Sequence, residues 1–194
     1  MNIEWERMLH GELYDPTDPE LVAARLRSQR VCRQYKETDP GEIASRQELL
    51  RDLFAWFGDR SEIVGPFQCD YGCHIRAGSG VFLNFGCVIL DCAEVTIGDR
   101  TLIGPNVQIY AATHPLEATV RRAGRELAKP VNIGKDVWIG GGAIICPGVR
   151  IGDNTTIGAG SVVTRDIPAS VFAAGNPCRI IKPVTSGENA DELL

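Results

Sequence analysis

His114 is one of three histidines in 194 residues, and it stands in YAATHPLE, residues 110–117. An imidazole changes charge near neutral pH, so a histidine suits the task of taking a proton from a weak nucleophile and passing it on. A solvated loop side chain is the plainer account of one such residue. His114, however, sits where a regular sequence interrupts itself, over about residues 111–130. Interruptions of this length inside a compact domain are usually functional or disordered, and a loop thrown out between regular turns makes a natural wall for a cleft. The cysteines suggest less chemistry. There are seven (Cys32, Cys69, Cys73, Cys87, Cys92, Cys146 and Cys178), an odd number at uneven spacing, as expected of free thiols packing as small apolar groups. In CDYGCH, the spacing of Cys69, Cys73 and His74 does not match a closed zinc site.

Composition limits the setting. An apolar fraction of 44% with 23% charged residues describes a soluble globular chain. No apolar run is long enough to span a bilayer. The N-terminus, MNIEWERMLHGELYD, is acidic where a secretory signal needs an apolar core, so a cytoplasmic location is expected. The net charge of −5 argues against general affinity for nucleic acid. Any polyanionic ligand must find a local basic cluster.

The elements that must position these residues divide near residue 60. Residues 1–60 read as a helical segment. Asp18 caps a helix with Pro19 at its first position, and Leu21, Leu26, Val31 and Tyr35 recur at roughly helical spacing. Asp39, Pro40 and Glu42 read as a second start with a capping box. Ile43, Leu49, Leu50, Leu53, Phe54 and Phe57 follow as its stripe, and Gly58 ends it. A short uncapped helix is expected around Glu4 to His10.

From residue 61 to 183 the rhythm is six. Ile97, Ile103, Ile109, Ile133, Ile139, Ile145, Ile151, Ile157 and Val163 share one phase, each preceded two residues earlier by a small or branched residue. Glycine follows at 98, 104, 134, 140, 152 and 158, which suits a tight corner. No helix or flat strand has this period. It fits a coil of short strands with one inward aliphatic residue per side and three sides per turn. The phase survives the interruption between Ile109 and Ile133. Ile75, Val81 and Cys87 keep the step in another phase, so a slip lies between about 87 and 95. A solenoid leaves its ends uncovered, and the N-terminal helices are the expected cap. Residues 184–194 are left as a tail. The repeat specifies a fold and no chemistry.

GELYD at 11–15, CDYGCHI at 69–75, FLNFGCVILD at 82–91, ATHP at 112–115, VWIGGGAIICPGVRIGDN at 137–154, IGAGSVVTRDIP at 157–168 and AAGNPCRIIKP at 173–183 resemble the maltose/galactoside O-acetyltransferases, members of the hexapeptide-repeat acyltransferases. The resemblance runs from about residue 5 to 183. It implies a mainly β protein: a left-handed parallel β-helix with an N-terminal α-helical segment and an excursion loop. It also implies a homotrimer with active sites between subunits, and acetyl transfer from acetyl-CoA to a sugar hydroxyl without a metal.

By that resemblance His114 is the general base. Asn84 and Asp70 match acceptor contacts, and Asp91 is a candidate to accept hydrogen bonds from sugar hydroxyls. Cys92 takes the place of a second acidic residue. Pro16 falls where the galactoside enzyme has an acidic sugar contact, leaving its neighbour Asp15 as a weak candidate. Trp138 and the small residues around Gly141 could line the pantetheine arm. Gly141 matches a coenzyme contact that carries a larger side chain in the galactoside enzyme, and Ala159 and Thr164 match further contacts. Arg165, Arg179 and Lys182 are the local cations for CoA phosphates. No cysteine occupies a nucleophile position of the family, so direct transfer without an acyl-enzyme is expected. Three other readings stand beside this one. One is a zinc site built from His10, His74 and His114, as in β-helical carbonic anhydrases. Another is a non-catalytic scaffold. The third is the same chemistry on a non-sugar acceptor.

Overall fold

The computed structural model describes residues 2–185; residues 186–194 of the expected tail lie outside the described residues. Three helices come first: α1 (Ile3–Leu9), α2 (Pro19–Glu37) and α3 (Ile43–Leu53). Asp18 caps α2 as its sequence predicts, its carboxylate accepting from the amides of Glu20 and Leu21. The face α2 turns inward differs from the expected apolar row. Leu21, Ser28, Cys32 and Tyr35 are buried, whereas Leu26 is largely exposed. The start of α3 also differs. Asp39 accepts from the Gly41 amide in a tight Asx turn, and the helix begins at Ile43 with no side-chain cap. It stops at Leu53, because Trp56–Phe57 is already a strand pairing with Arg76–Ala77.

The remainder is a parallel β-helix of three sheets. One sheet stacks Trp56–Phe57, Ile75–Ala77, Val95–Ile97, Val131–Ile133 and Arg150–Ile151. A second stacks Glu62–Ile63, Phe82–Leu83, Leu102–Ile103, Trp138–Ile139, Thr156–Ile157 and Val171–Ala174, and ends on the antiparallel strand Arg179–Pro183. The third holds Gln68–Cys69, Val88–Leu90, Gln108–Tyr110, Ile144–Ile145 and Val162–Val163. Ile133 faces Ile151, Ile139 faces Ile157 and Ile145 faces Val163 in neighbouring coils, so a complete turn is three six-residue sides. These side chains are at most 3% exposed and form one continuous column.

The glycines that follow the inward residues answer a different need from the tight corner expected. A Cβ on Gly98 would lie 2.5 Å from the Gly134 carbonyl carbon, and one on Gly140 would lie 2.5 Å from the Ala159 amide nitrogen. Stacked backbones approach too closely there for any side chain. Left-handed backbone occurs elsewhere in the corners, at Arg100, Asn106, Asp136 and Asn154 among others.

The helices close the first coil by occupying its edge acceptors. Ser28 donates to the Cys69 carbonyl, Tyr35 and Arg46 to that of Ile63, and Gln47 to that of Ser61. An unpaired strand edge would otherwise template further pairing. Substituting Gly98→Ala should destabilise the protein by about 1–3 kcal/mol, as overpacking does; a urea midpoint shift at constant slope is the measurement.

Candidate active site

Each coil passes from the third sheet to the first through one corner, and extra residues accumulate there. Inward residues stand six apart along the other sides. At this corner Cys69 and Ala77 stand eight apart, as do Ile89 and Ile97 one coil later. In the next coil Ile109 and Ile133 stand 24 apart. The slip expected between 87 and 95 is therefore two added residues, and an equal addition lies one coil earlier. Ile75, Val81 and Cys87 pair with or lie beside the secondary positions of the next coil, while Ala77, Leu83 and Ile89 hold the main phase.

The stacked additions build a cleft of about 420 Å³, lined by Asp70, Tyr71, Leu90, Cys92, Ala112, His114 and Glu126, with Pro16, Thr17 and Arg25 from the helical segment. The loop leaves and returns through a two-stranded neck, Ala112 opposite Ala128 and Thr113 opposite Leu127. His114 is the first residue beyond the neck and Glu126 the last before it. A short helix, α4 (Ala118–Arg122), fills the excursion. The N-terminal segment pins the loop: Tyr14 and Glu126 exchange both backbone hydrogen bonds, and the Tyr14 hydroxyl donates to Glu126 Oε2 at 2.7 Å. Glu4, from α1, accepts from the Asp15 amide at 2.6 Å and from Arg125 at 3.0 Å through the same oxygen.

The cleft has one guanidinium and two carboxylates. Arg25 reaches in from α2, donating to the Tyr71 hydroxyl at 2.6 Å and to the Pro16 carbonyl. Burial raises the Asp70 carboxyl above the ordinary range, opposed by the Cys92 thiol, which donates to Oδ2 at 3.4 Å, and by the charge of Arg25. Burial also holds Cys92 firmly as a thiol. An exposed imidazole beside half-buried hydrogen-bonding groups can deprotonate a hydroxyl held by those groups.

The structure brings Asp70 and His114 together and separates the other acceptor candidates from them. Asp91, expected to accept from sugar hydroxyls, is instead 0% exposed, and its carboxylate accepts from the amides of Tyr71 and His74 inside the corner. Its neighbour Cys92 is the side chain that reaches the cleft. Asp15 turns to Thr17, accepting from its amide and hydroxyl, and it is Pro16 and Thr17 that line the cleft. Asn84 lies at the end of Phe82–Leu83 in the second sheet and accepts from the Phe85 amide. Arg25 and Glu126 are not among the residues expected from the sequence. For Arg25 the signal was present, since Leu21, Arg25, Ser28, Cys32 and Tyr35 form one helical stripe. For Glu126 no local signal exists, because its place depends on a bridge to Tyr14.

The donor candidates lie on the second sheet and at the corners on either side of the third. Trp138, half exposed, aligns across the second sheet with Thr156, Phe172 and Lys182. Gly141 and Ala159 sit at the corner beyond it, joined by the bond from the Gly160 amide to the Gly141 carbonyl. Arg179 is on the same terminal strand as Lys182. Thr164 and Arg165 follow Val162–Val163 at the corner that also carries the loop, higher in the stack. None of these seven lines the His114 cleft of its own chain. Among the described residues, no group of three or more His, Cys, Asp and Glu is arranged to hold a metal, and no helix is long and apolar enough to cross a membrane.

Two family models match the chain: the maltose acetyltransferase hexapeptide capping motif over residues 7–58 and the bacterial transferase hexapeptide (six repeats) over residues 130–165. The galactoside O-acetyltransferase of Escherichia coli (strain K12) is 40% identical, covering 92% of this chain and 88% of its own. The crystal structure of a maltose O-acetyltransferase from Clostridium difficile 630 superposes with a TM-score of 0.93 at 45% identity, covering 94% of this chain and 98% of that one. A hexapeptide-repeat acetyltransferase from Vibrio cholerae O1 biovar eltor, complexed with acetyl coenzyme A, gives 0.89 at 39% identity, covering 96% and 100%.

Asp91 supplies a pH test. Burial pushes its carboxyl up to about 7, against the amides that favour the charged form. The folded chain therefore holds a proton that the unfolded chain releases near 3.8, and stability falls as pH rises between these values. In urea titrations from pH 4 to pH 7, Asp91→Asn should lose less stability with rising pH than the unsubstituted protein.

Proposed function

The chain belongs to the maltose/galactoside O-acetyltransferases of the hexapeptide-repeat class, and from that premise we propose that it acetylates a sugar hydroxyl with His114 as general base. It is an acetyl-CoA-dependent acetyltransferase, as its relatives' names and the coenzyme complexes of its structural neighbours indicate. The observation that carries the finer reading is the cleft in which His114 stands beside Arg25, Asp70 and Glu126. These groups offer both donors and acceptors, as a polyhydroxylated acceptor requires.

In the proposed reaction the imidazole takes the proton of the acceptor hydroxyl as its oxygen attacks the thioester carbonyl. The carbon–oxygen bond forms, the carbon–sulfur bond breaks, and the proton passes from the imidazolium to the departing thiolate. No acyl-enzyme intervenes, because the thiol in the cleft, Cys92, is held protonated by burial. General-base assistance of this kind contributes about 10²–10⁴-fold.

The donor row around Trp138 lies outside the His114 cleft, so the reading places acetyl-CoA between copies of the chain. One copy supplies the loop and helical segment, and its neighbour supplies the second sheet with Asn84 and Trp138. The outward residues Leu102 and Trp138 are about half exposed in the single chain and adjacent across the sheet, as an apolar contact between copies would have them. A trimer is the assembly this predicts.

The test is release of free CoA from acetyl-CoA with maltose, glucose, galactosides, serine and chloramphenicol as acceptors. His114→Ala should lower kcat/KM for the best sugar by about 10²–10⁴-fold with the fold unchanged by circular dichroism. Undiminished turnover in the alanine variant, or transfer to serine or chloramphenicol alone, would overturn the reading.

A further inference from the structure

We propose that Cys32 and Cys69 form a reversible disulfide that fastens the helical cap to the first coil of the β-helix, a modification site apart from the acetyl-transfer cleft. Cys32 lies on the inner face of α2, and Cys69 ends the first strand of the third sheet. Their sulfurs are 3.9 Å apart, and each residue is 7% exposed. A disulfide bond is about 2.05 Å long, so closure needs roughly 2 Å of approach. The two elements are already held in place for it. Ser28, one turn before Cys32, donates to the Cys69 carbonyl at 3.1 Å and lies 3.2 Å from the Cys69 sulfur.

Three of the other cysteines are placed differently. Cys87 donates to the Gly104 carbonyl and Cys92 to the Asp70 carboxylate, and Cys73 is exposed. Within the pair the roles are unequal. The contact with Cys69 lowers Cys32 to about 7, while Cys69 is driven well above the ordinary thiol range. Oxidation starts at Cys32, which meets a peroxide in its thiolate form. Its sulfur attacks one peroxide oxygen, giving a sulfenic acid and, after protonation, water. Cys69 then attacks the sulfenic sulfur, and a second water leaves as the disulfide forms. Two thiols are oxidised and one peroxide is reduced.

The bond would close a loop between residues 37 apart and restrict the unfolded chain accordingly. It would also join the helix that carries Arg25 to the strand that precedes Asp70, stiffening the back of the cleft without touching it. The experiment treats reduced protein with hydrogen peroxide, counts thiols after unfolding, and maps linked peptides by mass spectrometry. Two of the seven thiols should disappear into one Cys32–Cys69 linkage. Tm should rise by roughly 5–10 °C, and dithiothreitol should reverse both changes. Cys32→Ser should abolish the linkage and the rise. Should that variant fail to fold, the peptide map of the unsubstituted protein still decides. Recovery of Cys32 and Cys69 as free thiols while Cys73 is oxidised, or linkage of either to another cysteine, would overturn the proposal.

Discussion

Register between stacked coils is the constraint from which this molecule follows. Each inward aliphatic chain must meet its equivalent in the coil above and below, and glycine backbones at the turns pack too closely to admit a side chain. A side of the coil can neither gain nor lose a residue without rotating the inward set outward. Additions are confined to corners, and here three consecutive coils place them at the same one. The cleft is the sum of those additions. Its location is thus a consequence of packing before it is a matter of chemistry.

The helical segment and the excursion loop depend on each other for the same reason. Neither belongs to the ladder, so each needs a partner outside it. Glu4 and Tyr14 tie α1 and the following strand-like segment to Arg125 and Glu126. Arg25 completes the contact by holding Tyr71 and the Pro16 carbonyl together. The cap thereby closes the open edge of the first coil and also forms one wall of the cleft.

The period of six was readable because nine positions repeat a branched aliphatic residue in one phase, and the break after Ile109 was readable against that background. The cap of α2 was equally plain, since Asp18 and Pro19 act locally. What escaped depends on distant contacts or on corner geometry. Asp91 and Cys92 are adjacent, and only the fold of the corner decides which of them turns inward. Asp39 looked like a helix cap, but its carboxylate is consumed by the Gly41 amide. Phe54 and Phe57 looked helical because their burial was right, although Phe54 only caps the end of α3 and Phe57 belongs to the first coil.

Beyond the loop one course spans 18 residues on every side, Ile133 to Ile151, Ile139 to Ile157 and Ile145 to Val163, and the closing course is shortened to 16, Ile151 to Ile167 and Ile157 to Ala173. The 18-residue course is the repeatable unit of that column. The column's height can change by a whole course while the cap, the loop and the closing antiparallel strand each keep their own form. A gain of one or two residues has only the corners to go to. The distance from the loop to the terminal basic strand is therefore quantised, and a lineage could reset it by duplicating or deleting a single course.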